Sequence, residues 1–134
     1  MDKKDIVKAQ NYLLKSSYPI VLSGAGISAD SGIPTFRSDS KLNNNFTKPI
    51  YFGHYKYFMK NPKKWWEDQL DFNSNPGRTK FRHAVENAKP NKGHYALTKM
   101  QKNNNVKNII TQNVDELHTR SGSKNVLEIH GSRY

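Results

Sequence analysis

Apolar residues recur along this chain in short clusters whose spacing changes with position. Near the start, Ile6, Ala9 and Leu13 fall at helical spacing and Val7 and Leu14 widen the stripe, which predicts an amphipathic helix capped by Asp2. Such a helix is expected to lay its stripe on a neighbouring element. Tyr18 to Ser23 (YPIVLS) is a short apolar run rich in strand formers, which predicts a strand buried on both faces and ending at Gly24. Val106 to Thr111 (VKNIIT) and Val126 to Ile129 (VLEI) predict a second and a third strand, with a brief helix from Asp115 to Ser121 stopped by Gly122 between them.

The middle of the chain has a different texture. Asp39 to Asn45 is polar and reads as a surface loop. Pro49 to Leu70 is dense in aromatics, and Asn61-Pro62 divides it into two short helices around a small core. After a turn at Asn75-Pro76-Gly77, the positions Phe81, Ala84, Val85 and Ala88 suit one helix face, which Lys89-Pro90 ends. Asn91 then caps a helix from Lys92 to about Gln101, with Tyr95, Leu97 and Met100 expected inside. Strands separated by helical segments point to an α/β fold with a parallel sheet. Only three strands are found where a doubly wound dinucleotide-binding sheet has about six. The expectation is therefore a partial Rossmann-like parallel sheet over residues 1–38 and 89–134, with a loop and small helical insertion over 39–88.

Composition narrows the function classes. The 134 residues carry 22 Lys and Arg against 11 Asp and Glu, a net charge of +11. The lysines are spread from Lys3 to Lys124 among asparagine runs, and no helix-turn-helix, zinc-finger or RNA-binding strand pattern accompanies them. Nucleic acid is accordingly not expected as the primary ligand. The absence of cysteine excludes disulfides, thiolate zinc sites and a cysteine nucleophile from this sequence. The N-terminal residues lack a signal-peptide core, and no run approaches the roughly 18 apolar residues of a membrane helix, so the expected setting is intracellular, cytoplasmic or nuclear, without membrane contact.

The candidate chemistry lies at the ends of the predicted strands. Gly24-Ala25-Gly26-Ile27-Ser28-Ala29 follows the first strand and fits the G-x-G-x-x-G/A pattern. In that pattern Gly24 allows the turn, Gly26 keeps side chains away from a diphosphate, and Ala29 allows close packing on the strand. No acidic residue stands about 20 positions on, where Asn43 to Asn45 lie instead, and this disfavours a hydride-transferring dehydrogenase. Ser31 to Arg37 (SGIPTFR) adds an aromatic that could cover a ring and a cation suited to phosphate or carboxylate, or else only a core residue and a surface charge. Gln112, Asn113 and Asp115, after the second strand, offer donors and acceptors for an amide and sugar hydroxyls, although Asp115 could equally be a helix cap. His130, at the end of the third strand, can reach the same crevice and titrate near neutrality.

Four segments, GAGISADSGIPTFR, PNKGHYAL, TQNVDELH and LEIHGS, resemble in order the signature segments of sirtuins, the NAD-dependent protein deacylases. The resemblance runs from Gly24 to Ser132 and implies NAD as cofactor and an acylated lysine in a protein or peptide as partner. It assigns Gly24, Ala25, Gly26, Ser28 and Arg37 to the NAD phosphate and ribose region, with Phe36 shielding the reactive sugar face. Gln112 would hold the nicotinamide ribose, Asn113 would line the nicotinamide pocket as a catalytic residue, and Asp115 with the Val114 backbone would hold the carboxamide. His130 would be the general base. The implied reaction cleaves NAD to nicotinamide and transfers the acyl group to ADP-ribose. Cleavage of NAD or ADP-ribosyl transfer without deacylation, or NAD binding without activity, are the alternatives. His94 and His118 are expected to serve packing or capping. The sequences of this family usually continue with four cysteines for a structural zinc, so zinc and the adenine-binding strands are expected outside these residues. The Tyr and Arg of the desuccinylase branch align with Gln69 and Phe72, so the resemblance does not extend to a preference for succinyl groups.

Overall fold

The structure is a computed structural model that describes residues 2–35, 55–71, 73 and 76–132. By contact density it divides into two compact units, Met1–Ser31 with Lys89–Tyr134 and Gly32–Ala88.

The first unit is built on a three-stranded parallel sheet in the order β1 (Ile20–Ser23), β2 (Asn108–Thr111), β3 (Val126–Glu128). The pairing sets Ser23 beside Thr111 and Thr111 beside Glu128, so all three strands end at one level. The buried face carries Ile109, wholly inaccessible to solvent. Leu22, Ile110 and Leu127 form a row on the opposite face, where Leu22 is 67% and Leu127 59% exposed. The expectation that the first strand is buried on both faces is thus corrected: Ile20 and Leu22 are exposed while Val21 and Ser23 are half-buried, the alternation of a strand covered on one side.

Helix α1 (Lys3–Lys15) starts where the Asp2 carboxyl accepts the Lys4 N–H at 3.2 Å. None of its residues is buried, contrary to the expected packing of the stripe. After β1 come the single turn α2 (Ala25–Ser28) and a 3-10 turn over Ala29–Ser31. Before β2 stands a helix over Lys92–Lys102, called α6 below, and between β2 and β3 lies the short helix α7 (Leu117–Arg120). Here the core is polar as much as apolar. His94 and Thr98, rather than the expected Tyr95, Leu97 and Met100, are the buried residues of Lys92–Lys102. Thr98 Oγ1 lies 2.8 Å from both Ser121 Oγ and Ser123 Oγ, which accounts for burying three hydroxyls together.

The second unit contains α3 (Tyr55–Lys60), α4 (Pro62–Leu70) and α5 (Pro76–Asn87). Asn61 caps α4 through the Lys64 N–H at 3.0 Å with Pro62 in the first turn, so the expected break between two helices is present. Phe58 meets Trp65 edge-on at 5.4 Å, and the Lys64 and Asp68 side chains pair one turn apart. The polar loop expected at Asp39 to Asn45 lies outside the described residues.

Candidate functional site

The three strands end together, and the segments that follow them are joined by hydrogen bonds. Ser28, buried at the end of α2, donates its hydroxyl to Asp115 Oδ2 at 2.6 Å. The Asn113 side-chain amide donates to Ser28 Oγ at 3.0 Å and to the Gly24 carbonyl at 3.2 Å. Asp115 Oδ1 accepts the Leu117 N–H at 3.0 Å, so one carboxyl group both bonds the first N–H of α7 and holds the loop after β1. Between Asp115 and α7, Glu116 takes a left-handed conformation (φ 58°), and its carboxyl accepts the Ser132 hydroxyl at 2.6 Å. A left-handed Glu is a strained backbone, held here by bonds on either side.

His130 is exposed, with Nδ1 2.9 Å from the Gln112 carbonyl oxygen. A carbonyl only accepts, so Nδ1 carries the proton and Nε2 of the neutral ring keeps its lone pair. This is the tautomer a base requires. Glu128, at the tip of β3, has its pKa raised, first by burial and then by the neighbouring charges of Glu116 and Asp115. Three carboxyl groups thus share the strand ends, an arrangement that favours positive charge nearby.

The glycine segment departs from expectation in detail. Gly24 has an extended backbone (φ −148°), which any residue adopts, and a Cβ at Gly24 or Gly26 would meet nothing within 4 Å. The bend thus uses no left-handed glycine, and what the two residues provide is bare backbone bordering open space. Ala29 is exposed, so it does not mediate close packing on the strand. Ala25 is half-buried within α2, and Val114 is half-buried between Asn113 and Asp115. Gln112 is exposed, its N–H bonded to the Ser23 carbonyl across the sheet. Phe36 and Arg37 lie outside the described residues.

Residues given no site role from sequence hold the site from behind. Asn91 donates its amide to the Ile27 carbonyl at 2.7 Å and to Ser31 Oγ at 2.9 Å, tying the start of α6 to the loop after β1. Ser23 Oγ donates to Thr111 Oγ1 at 2.9 Å and lies 2.9 Å from His118 Nε2, while Thr111 Oγ1 accepts the Asn113 N–H at 3.1 Å. For Ser23 and Thr111 the sequence signal was the run of small polar residues at strand ends, and for Asn91 its place as a helix cap. Among the described residues, no cluster of three or more His, Cys, Asp or Glu is arranged to hold a metal, and no helix is long and apolar enough to cross a membrane.

Comparison with known proteins gives concordant matches. The sequence model of the Sir2 family matches residues 24–134. NAD-dependent protein deacylase 2 of Archaeoglobus fulgidus is 40% identical over 128 residues, 96% of this chain and 46% of that protein. A substituted Sir2 homologue in complex with 2′-O-acetyl ADP-ribose superposes with a TM-score of 0.72 at 39% identity, covering 98% of this chain and 47% of the other. A Sir2 protein with a p53 peptide and NAD superposes with a TM-score of 0.65 at 31% identity, covering 98% of this chain and 46% of the other. The chain spans about half the length of the relatives it matches.

Proposed function

The chain belongs to the Sir2 family, and from that premise we propose that it forms the nicotinamide-handling half of an NAD-dependent protein lysine deacylase, with deacetylation as its reaction. The observation that carries this reading is the bonded set Gly24, Ser28, Asn113 and Asp115 at the strand ends, with His130 held nearby in its base-competent tautomer. The donor set suits NAD: bare backbone at Gly24 and Gly26 leaves room for phosphate, and amide and carboxyl groups match a carboxamide and ribose hydroxyls. When bound, NAD supplies an activated ribose carbon and the ADP-ribose that accepts the acyl group.

Residues of this chain have separate tasks in that scheme. Ala25, Gly26 and Ser28 border the phosphate and ribose. Gln112 holds the nicotinamide ribose. Asn113, fixed by Ser28 and Gly24, presents its remaining polar valences to the nicotinamide, and Asp115 with the Val114 backbone orients the carboxamide. The carboxyl groups of Asp115, Glu116 and Glu128 would stabilise positive charge developing on the sugar of bound NAD. His130 Nε2 then accepts a proton from a ribose hydroxyl, while Nδ1–H stays anchored on the Gln112 carbonyl. The acyl donor is an acylated lysine in a protein or peptide, and the setting is intracellular, cytoplasmic or nuclear.

The test is an incubation of the complete enzyme to which this half belongs with NAD and an acetyl-lysine peptide, reading nicotinamide and O-acetyl-ADP-ribose together. Both products should form, and His130→Ala should abolish them while calorimetric NAD binding persists. Nicotinamide without O-acetyl-ADP-ribose would replace deacylation by NAD cleavage or ADP-ribosyl transfer. Undiminished turnover in the variant would remove His130 from the role of base.

A further inference from the structure

The segment that carries His130 is bonded to the loop after β2 at both ends of that loop. At the start of the loop, His130 Nδ1 lies 2.9 Å from the Gln112 carbonyl oxygen. At its end, the Ser132 hydroxyl donates to Glu116 Oε1 at 2.6 Å, the length of a bond to an ionised carboxyl. In sequence between the two anchors stand Asn113, Val114 and Asp115, the residues proposed to meet nicotinamide. Residues 130–132 thus form a strap tied to that loop on either side of them.

The strap starts in a turn. The Ile129 N–H bonds the Thr111 carbonyl at 3.0 Å, and the Gly131 N–H then closes on the Glu128 carbonyl at 3.1 Å, with Gly131 in a left-handed backbone (φ 78°) that favours glycine. His130 therefore stands at an exposed bend beyond the end of β3. Its bond to Gln112 fixes one ring atom. The direction of the ring also depends on the backbone that carries it, and Ser132 is where that backbone meets a second anchor.

Glu116 is itself firmly placed. Asp115 Oδ1 accepts the Leu117 N–H and the Glu116 carbonyl accepts the Arg120 N–H, so bonds on both sides of Glu116 hold it at φ 58°. A glycine would take this conformation without strain, whereas a residue with a Cβ is held there against its preference. What the glutamate side chain adds at this position is an acceptor for the Ser132 hydroxyl.

We propose that Glu116 and Ser132 are positioning residues for His130: their hydroxyl–carboxyl bond holds the segment after β3 on the nicotinamide loop and so sets the direction in which His130 Nε2 faces the ribose. The consequence for the ribose rests on the deacylase reading, whereas the effect on the His130 ring does not. Ser132→Ala removes the hydroxyl and leaves every carboxyl group in place, and Ser132→Thr keeps the hydroxyl. Ser132 is exposed, so both variants should fold.

The decisive measurement is a long-range proton–nitrogen correlation spectrum of the complete enzyme to which this half belongs, labelled at histidine and assigned with His130→Ala. The His130 proton should sit on Nδ1 in the unsubstituted enzyme and in Ser132→Thr, and should be shared between Nδ1 and Nε2 in Ser132→Ala. With NAD and an acetyl-lysine peptide, Ser132→Ala should lower kcat roughly tenfold while KM for NAD stays within about twofold, and Ser132→Thr should restore most of kcat. Glu116→Gly, which removes the acceptor together with its charge, should lower kcat at least as far, and adding Ser132→Ala to it should cause no further loss. An unchanged His130 tautomer in Ser132→Ala, or losses that multiply in the double variant, would overturn the proposal. Absence of O-acetyl-ADP-ribose from the unsubstituted enzyme would overturn the deacylase reading instead, and the tautomers would still decide the positioning.

Discussion

Ser28 and Asp115 form the shortest buried link in the candidate site, and both were legible from sequence only through their place in a motif. Ser28→Ala leaves Asp115 Oδ2 without its hydroxyl and should lower stability by about 1–3 kcal/mol in urea unfolding. His94 and His118 give the same region a pH dependence. Both have lowered pKa in the folded chain, mainly through burial, so the unfolded chain takes up protons first as pH falls. Stability from this source should be complete above the ordinary histidine value of 6.5 and decline below it, as a thermal unfolding series from pH 8 to 5 will show. Glu128, with a raised pKa, acts in the opposite sense: its contribution is full below the ordinary 4.5 and is lost as pH rises through its folded value. Its exposure makes that term small. The sequence reading kept both histidines out of the catalytic set, and the structure uses His94 in a capping box with Asn91. Their mutual contact had no sequence signal, because it joins residues on different helices.

Element boundaries were readable where local chemistry fixes them. Asp2, Asn61 and Asn91 each cap the helix predicted to follow, since a side-chain acceptor at that position needs only its own next few N–H groups. Burial was less legible: Tyr95, Leu97 and Met100 were expected inside α6, yet His94 and Thr98 took the inner face because hydroxyl and imidazole partners wait there. The turn expected at Gly24 does follow the first strand, but its extended backbone, φ −148°, does not require glycine. Gly93, which sequence reasoning did not single out, is the more constrained position. A Cβ there would stand 3.1 Å from Asn91 Oδ1 and 3.5 Å from Ile27 Cγ1. Asn91 cannot yield, being bonded to Ile27, Ser31, Gly93 and His94 at once. Gly93→Ala should therefore destabilise the protein despite the usual helix preference for alanine, by about 1 kcal/mol or more. A gain in thermal midpoint would show that the cap is more yielding than its bonds suggest.

For the molecule as a whole, strand order and parallel pairing carry the argument, and α/β class with a parallel sheet was readable from strands alternating with helices. Two-sided burial was not, because an apolar run such as IVLS looks the same whether one face or both are covered. The sheet is asymmetric as described: Ile109 is sealed, while Leu22 and Leu127 lie largely in solvent. Hydrophobic stabilisation follows area removed from water, so equal side-chain losses on the two faces must have unequal effects. Ile109→Ala should cost about 2–5 kcal/mol. Leu22→Ser and Leu127→Ser should each stay within about 0.5 kcal/mol, because most of their surface is already hydrated. The comparison is most informative in the protein as isolated, by urea midpoints measured side by side at one concentration. If Leu22→Ser proved as damaging as Ile109→Ala, the outer face would have to be covered in solution. The same three variants separate stability from chemistry, since none replaces a group bonded within the strand-end set: a loss of NAD binding in Leu22→Ser with an unchanged urea midpoint would mean that the outer face bears on the site.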